Sequence, residues 1–237
     1  MLGFLGDIVD FLIPPACHVC GASLLKGERF LCPSCIAALP RTHYYSGYAG
    51  TQAPSAMNPM EHRFAGKFPF GHAVGYFFYA PDSRMASLIH DFKYRNFPSL
   101  ARRLGDIIGT ELFLTGFFSD VDFLMPVPIH WSKRLKRGYN QTEMLARGVS
   151  DASKVAVSTD LRAIKAHRTQ THLTPLERAA NTRGIFRLSH PERYAGKHIV
   201  IMDDVCTTGS TLTACAESIL RDAPTARISI LTLAVTF

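Results

Sequence analysis

Short apolar runs alternate with segments of helical period along this chain, and that alternation predicts its elements. Leu5, Ile8, Val9 and Leu12 share one face of a short N-terminal helix, which Pro14 and Pro15 end. Residues 73–80 (AVGYFFYA) are an aromatic, apolar run and predict a strand. Residues 83–95 and 99–113 carry helical spacing. A buried strand is predicted at 123–130 (FLMPVPIH), a helix at 140–150 and a strand at 161–165. A strand at 197–203, a helix at 210–221 and a strand at 227–235 complete the pattern. Strands alternating with helices predict an α/β fold, a parallel sheet with helices on both faces. Ligands of such sheets sit at the carboxyl ends of the strands, so the loops after residues 125–129 and after Met202 are expected to open on one rim. Residues 43–69 are rich in Gly, Pro, Ser and Ala without a sustained period and read as a linker or mobile loop. The expected organisation is an N-terminal helix with a cysteine module at 1–42, a linker at 43–69 and the sheet domain at 70–237.

One 14-residue run, HIVIMDDVCTTGST (residues 198–211), gives the rim its chemistry. Four apolar residues, Ile199 to Met202, lead into adjacent carboxylates, Asp203 and Asp204. A small hydroxylated loop follows, with Thr207, Thr208, Gly209, Ser210 and Thr211, and then the predicted helix. A helix start offers free backbone N–H groups and the positive end of the dipole to an anion. Gly209 permits a tight approach, and the hydroxyls add donors. Ionised carboxylates only accept hydrogen bonds, which suits the two donors of a sugar diol. A ribose with free 2′- and 3′-hydroxyls and a 5′-phosphate satisfies both halves. The competing interpretation is an ordinary strand end followed by an N-cap; the pieces falling together in one run favour the ligand loop. Neither GxxxxGK[ST] nor GxGxxG is present.

Composition narrows the class. The 237 residues are 47% hydrophobic and 19% charged, enough for one medium α/β domain with an appendage, and a globular rather than disordered chain. The net charge is +7 and the isoelectric point about 9.2, which fits a phosphate-rich ligand, a nucleic acid, or both. No apolar run approaches the roughly 18–20 residues needed to span a bilayer. Asp7 and Asp10 interrupt the N-terminal apolar stretch, and no basic segment precedes it, so it is not read as a signal peptide and a cytoplasmic protein is expected. Cys17, Cys20, Cys32 and Cys35 form C-x2-C, an 11-residue spacer and C-x2-C. That is zinc-ribbon spacing, and four thiolates leave no open position, so such a metal is structural. Disulfides, which conflict with a cytoplasmic chain, an iron–sulfur cluster or a redox pair are the alternatives. Cys206 and Cys215 read as small packing residues.

Two basic segments belong to the same rim. WSKRLKRGYNQ (131–141) follows a predicted strand and brings Lys133, Arg134, Lys136 and Arg137 together, with His130 just before them. It is either a solvated turn or a pyrophosphate contact. Residues 166–186 carry Arg168, Arg178 and Arg183 among polar spacers, either an exposed loop or a mobile one that closes over a polyphosphate. His90 and His130 are the candidate titrating groups, although such histidines are more often structural.

Taken together, CHVC…CPSC, LIHDFKYR (88–95), PVPIHWSKRLKRGYNQ (126–141), HRTQTHLTPLERAANTRGIF and IVIMDDVCTTGSTL resemble the ComF (competence protein F) family of phosphoribosyltransferase-like proteins, in the family's order and across nearly the whole chain. The resemblance implies a type I phosphoribosyltransferase fold behind a zinc-ribbon-like module, and a site for phosphoribosyl pyrophosphate with Mg²⁺. It implies that Asp203 and Asp204 hold the ribose, that Thr207 to Thr211 hold the 5′-phosphate, and that the loop near Lys136 and Arg137 faces pyrophosphate. It also implies a link to DNA uptake, beside helicase-type and single-strand-handling proteins. Two functions follow: phosphoribosyl transfer to an acceptor, or a non-catalytic nucleotide- or ssDNA-binding adaptor. Many relatives carry further cysteines between the module and the sheet domain; residues 43–69 contain none, which argues against a second metal.

Overall fold

A computed structural model of the chain describes residues 15–45, 56–164 and 184–236. In chain order the described helices are α1 (Pro33–Ala37), α2 (Pro59–His62), α3 (Arg84–Tyr94), α4 (Pro98–Phe113), α5 (Trp131–Arg137), α6 (Gln141–Ser153) and α7 (Ser210–Asp222). The strands are β1 (Ala73–Phe78), β2 (Phe123–Pro126), β3 (Ala156–Val157), β4 (Leu161–Ala163), β5 (Phe186–Leu188), β6 (His198–Cys206) and β7 (Arg227–Val235). The main sheet has the order β1-β7-β6-β2-β3. Every neighbouring pair in it is parallel, and β6 pairs with β7 from His198↔Arg227 to Cys206↔Val235.

A parallel sheet covered on both faces needs apolar residues at every position, which is why β6 and β7 read as continuous runs. Val200, Met202, Leu231 and Leu233 point into one core, filled by α3, α4 and α6. Ile199, Ile201, Ile228 and Ile230 point into the other, filled by α7 and by residues from α2, β4 and β5. α4 and α6 pack backbone to backbone: a Cβ on Gly148 would lie 1.9 Å from the Arg102 carbonyl oxygen, and one on Gly105 2.1 Å from that of Leu145.

The cysteine module shares the first core. Leu24, Leu31 and Leu39 are buried with α3 and α4. Arg41, at the end of the module, grips Glu111 of α4 through Nε (2.8 Å) and Nη2 (2.7 Å), and Tyr76 of β1 donates to the same carboxylate. That cation and hydroxyl hold Glu111 below the usual carboxylate range although burial opposes it.

Four expectations are revised. The strand predicted at 161–165 does not join the main sheet; β4 pairs antiparallel with β5 in a separate two-stranded ribbon. Only residues 158–160 separate β3 from β4, too few for the crossover that a further parallel strand requires. The strand predicted over 123–130 stops at Pro126, and Pro128 lies in the turn that follows. The basic stretch after it, for which a solvated turn or a pyrophosphate contact was expected, is helical: it forms α5, capped by His130. The described part of the segment read as a linker, from residue 56 on, is built into the fold: Asn58 and Glu61 form a capping box on α2, and Met60, Phe64 and Phe68 are buried. The predicted helix at 5–12 lies outside the described residues.

Candidate ligand site and cysteine cluster

The acidic pair sits where β6 passes the rim of the sheet, and the loop after it turns into α7. Asp203 Oδ1 accepts the backbone N–H of Asp204 (2.8 Å) and the Thr142 hydroxyl from α6 (3.5 Å). Asp204 Oδ2 lies 2.8 Å from Nζ of Lys93 on α3. Burial first, and the neighbouring Asp204 charge second, push Asp203 up to about 7; the Asp204 N–H, Lys93 and Thr142 oppose them.

Gly209 makes the turn with φ +78°, and a Cβ there would strike the Phe64 ring at 2.8 Å. As N-cap of α7 it offers no side-chain acceptor to the first N–H groups of that helix. Thr208 Oγ1 lies 2.8 Å from Ser210 Oγ, and Thr207 and Thr208 are exposed. Arg63, just after α2, donates to the carbonyl oxygens of Thr207 and Thr236 and so ties the loop to the end of β7.

A cleft of about 300 Å³ opens beside the pair. Lys93, Arg137, Gln141, Thr142, Asp203, Asp204 and Thr211 give it a polar wall. Val127 to Ile129, Ala163, Ile185 and Phe186 give it an apolar one. The GYNQ stretch explains how the polar side is assembled. Gly138 ends α5 with φ +79°. Tyr139 donates to the Phe92 carbonyl of α3. Asn140 caps α6 at Thr142 N (3.1 Å) and holds the Val127 carbonyl (3.1 Å).

The residues singled out from sequence fall as follows. Asp203, Asp204, Thr211, Arg137 and His130 line one cleft, and Thr207, Thr208, Gly209 and Ser210 form the loop beside it. Arg137 bonds Gln141 Oε1 (3.1 Å) and lies over the Tyr94 ring at 5.2 Å. His130 spends its Nδ1 on Ser132, 2.8 Å from the hydroxyl, as the cap of α5. Arg134 is exposed on α5 and does not line the cleft; the backbone of Lys136 lies on the same helix. His90 is exposed against Tyr94, outside the cleft lining. Arg168, Arg178 and Arg183 lie outside the described residues. Lys93, Thr142 and Arg63 were not singled out from sequence. Thr142 follows the GYNQ stretch immediately, a hint at its placement, and Lys93 lies within LIHDFKYR, which was given no role of its own, whereas Arg63 carries no local signal.

The four cysteines converge. Their sulfurs all lie within 4.8 Å of one another, and Cys20 Sγ is 3.8 Å from Cys32 Sγ. Four sulfurs about 2.3 Å from a tetrahedral zinc are about 3.8 Å apart, so the cluster fits that ion. Burial raises the Cys17 thiol, but N–H groups of Cys20, Cys32 and Val19 outweigh it and bring the thiol to about 6. Cys206 and Cys215 are buried, and burial pushes Cys206 up to about 11 and Cys215 well above its ordinary value. His18, beside Cys17, is 3.3 Å from Asp91 on α3, the helix that carries Lys93.

Residues 135–235, which include the acidic pair, the loop and α7, match the phosphoribosyl transferase domain. The DNA utilization protein YhgH of Salmonella typhimurium is 27% identical over 215 residues, 89% of this chain and 92% of that one. Its namesake in Escherichia coli is 28% identical over 216 residues, with the same coverage. Competence protein F of Haemophilus influenzae is 30% identical over 91 residues, 38% of this chain and 40% of that one. The chain is similar to these ComF-family proteins, over 89% of its length for the two YhgH proteins. Its α/β fold with a parallel sheet is that of the phosphoribosyl transferase domain, preceded by a zinc-ribbon-like cysteine module. Among the described residues no helix is long and apolar enough to cross a membrane.

Proposed function

We propose that the cleft binds phosphoribosyl pyrophosphate with Mg²⁺ and that the protein transfers the phosphoribosyl group to an acceptor in the service of DNA utilization, the role in its relatives' names. The observation that carries this reading is the meeting, on one rim, of the Asp203–Asp204 pair, the Thr207–Thr211 loop at a helix start, and Arg137 across the cleft. In this reading Asp203 and Asp204 accept from the ribose hydroxyls. Thr207, Thr208, Gly209, Ser210 and Thr211 hold the 5′-phosphate with hydroxyls and the free N–H groups of α7. Arg137, with His130, Arg134 and Lys136 nearby in sequence, offers positive charge to the pyrophosphate, and Arg168, Arg178 and Arg183 add to it. Mg²⁺, when bound, supplies further charge neutralisation on the pyrophosphate. The chain itself contributes positioning and fixed charge. No general base is assigned, since His130 is engaged as a helix cap. The cysteine cluster holds zinc with four thiolates and no open position, a structural role. Pyrophosphate release from phosphoribosyl pyrophosphate, measured across a panel of acceptors, tests the transfer step; release with none of them would refute it.

A second reading is an adaptor that binds single-stranded DNA beside helicase-type partners. The observation in its favour is the exposure of Trp131 (64%) and Tyr94 (62%) next to Arg134 and Arg137, on a chain of net charge +7. Aromatic platforms among cations suit unpaired bases. Binding of a labelled oligonucleotide that weakens steeply with salt supports it, and no binding at low salt refutes it.

A further inference from the structure

We propose that Lys93 is a positioning residue of the ribose site, whose ammonium favours negative charge on the Asp203–Asp204 pair and orients it so that each carboxylate presents one free oxygen to the sugar diol. The inference rests on the reading of this pair as the ribose contact.

The geometry gives the first argument. Lys93 Nζ takes Asp204 Oδ2 at 2.8 Å, and Thr142 and the Asp204 N–H take Asp203 Oδ1. Among the described residues the contacts therefore use one oxygen of each carboxylate, and Asp203 Oδ2 and Asp204 Oδ1 remain as two acceptors, one for each of two hydroxyls.

Charge gives the second. Two adjacent carboxylates repel, and both sit in partly buried positions, so one of them tends to hold a proton. A protonated carboxyl loses an acceptor and no longer matches a diol. The groups that face the pair come from every element around it. α6 contributes Thr142, α3 contributes Lys93, α5 contributes Arg137 and its cap His130, and α7 contributes Thr211. The Cys206 and Cys215 thiols behind Asp203 are held neutral by burial. Arg137 is committed to Gln141 and the Tyr94 ring. Among the described residues, Lys93 is the cation within ion-pair distance of either carboxylate. Its effect on Asp203 runs in the required direction, opposing the rise.

The third argument is that Lys93 is held in place. Ser83 caps α3 at Ala86 N (3.1 Å), and Tyr139 donates to the Phe92 carbonyl. Asp91, buried two residues before Lys93, is met by His18 (3.3 Å) and Arg95 (3.4 Å). The cysteine module thus braces the helix that delivers the charge.

The test uses the full, zinc-loaded chain with Lys93→Met and Lys93→Arg. Carbon-13 NMR follows the Asp203 carboxyl through a pH titration without ligand, and calorimetry follows phosphoribosyl pyrophosphate with Mg²⁺ from pH 6 to 9. Lys93→Met should move the Asp203 midpoint to higher pH. It should weaken binding by about tenfold or more at neutral pH, with recovery at alkaline pH. Lys93→Arg should keep most of the wild-type behaviour. An unchanged midpoint and pH profile in Lys93→Met would overturn the proposal, as would tighter binding, which would make Lys93 a competitor of the ligand. A moved midpoint in a protein that binds no phosphoribosyl pyrophosphate at any pH would instead overturn the ribose reading and leave the hold of Lys93 on the pair standing.

Discussion

At the scale of single residues, the proposed ligand site trades stability for acceptor strength. Asp203 is partly buried in the second half of β6, and its ordinary carboxyl value of 3.8 is raised to about 7. A carboxyl raised on folding is tolerated while protonated. Its contribution is complete below about pH 4 and is lost as the pH rises through about 7. Asp203→Asn should therefore stabilise the protein at pH 8, by about 1–3 kcal/mol, and change little at pH 4 and below. Glu111, Asp120 and Asp122 are lowered and act in the opposite sense, losing their contribution as the pH falls. The difference between wild type and variant in urea unfolding at the two pH values isolates Asp203. A difference that does not change with pH would contradict the assignment. In the proposed ribose contact Asp203 accepts best when ionised, so ligand affinity should rise over the range where stability falls. Asp203 and Asp204 were legible in the sequence because a strand buried on both faces leaves an apolar run that stops at them. Lys93 was not. It lies on a helix whose buried positions are Met85, Leu88, Ile89 and Phe92, and its partner comes from the other half of the chain.

At the scale of elements, the sheet and its long helices follow from pattern, and the site follows from how the short pieces dock. Helices α3, α6 and α7 were legible nearly to the residue at their starts because Ser83, Asn140 and the glycine turn punctuate them. β3, β5 and α2 are two to four residues long, too short to establish a period, and went unread. Their effect is large all the same: α2 leads into Arg63, which tethers the hydroxyl loop, and Phe64, whose ring lies close against Gly209, and β4 with β5 makes part of the apolar wall. The close packing of α4 on α6 fixes Thr142 and the cap of α6 relative to the sheet. Gly148→Ala would press a methyl against the Arg102 carbonyl, 1.9 Å away. It should cost about 3 kcal/mol in chemical unfolding and loosen ligand binding at the Thr142 end. Wild-type stability in that variant would contradict the packing described.

At the scale of the molecule, the cysteine module and the sheet domain are one structure. Sequence separates them by composition, yet Leu24, Leu31 and Leu39 lie in the same core as α3 and α4, and Arg41 binds Glu111. The spacing of the four cysteines was legible because each knuckle is local. The docking was not, because it depends on single contacts such as His18 to Asp91. Metal analysis should find one zinc ion per chain at Cys17, Cys20, Cys32 and Cys35. Chelation should lower global stability by about 3 kcal/mol or more, not merely release a tail, because the module's core is shared. Chelation that leaves the unfolding transition unmoved would contradict that joint core.

The central claim is that the rim of the sheet is a working phosphoribosyl site, and calorimetric titration tests it most directly. Phosphoribosyl pyrophosphate with Mg²⁺ is titrated into zinc-loaded wild type and into Asp204→Asn. The account predicts saturable binding to wild type and its loss, with the fold intact, in Asp204→Asn. No binding to well-folded wild type, or equal binding to both proteins, would contradict it.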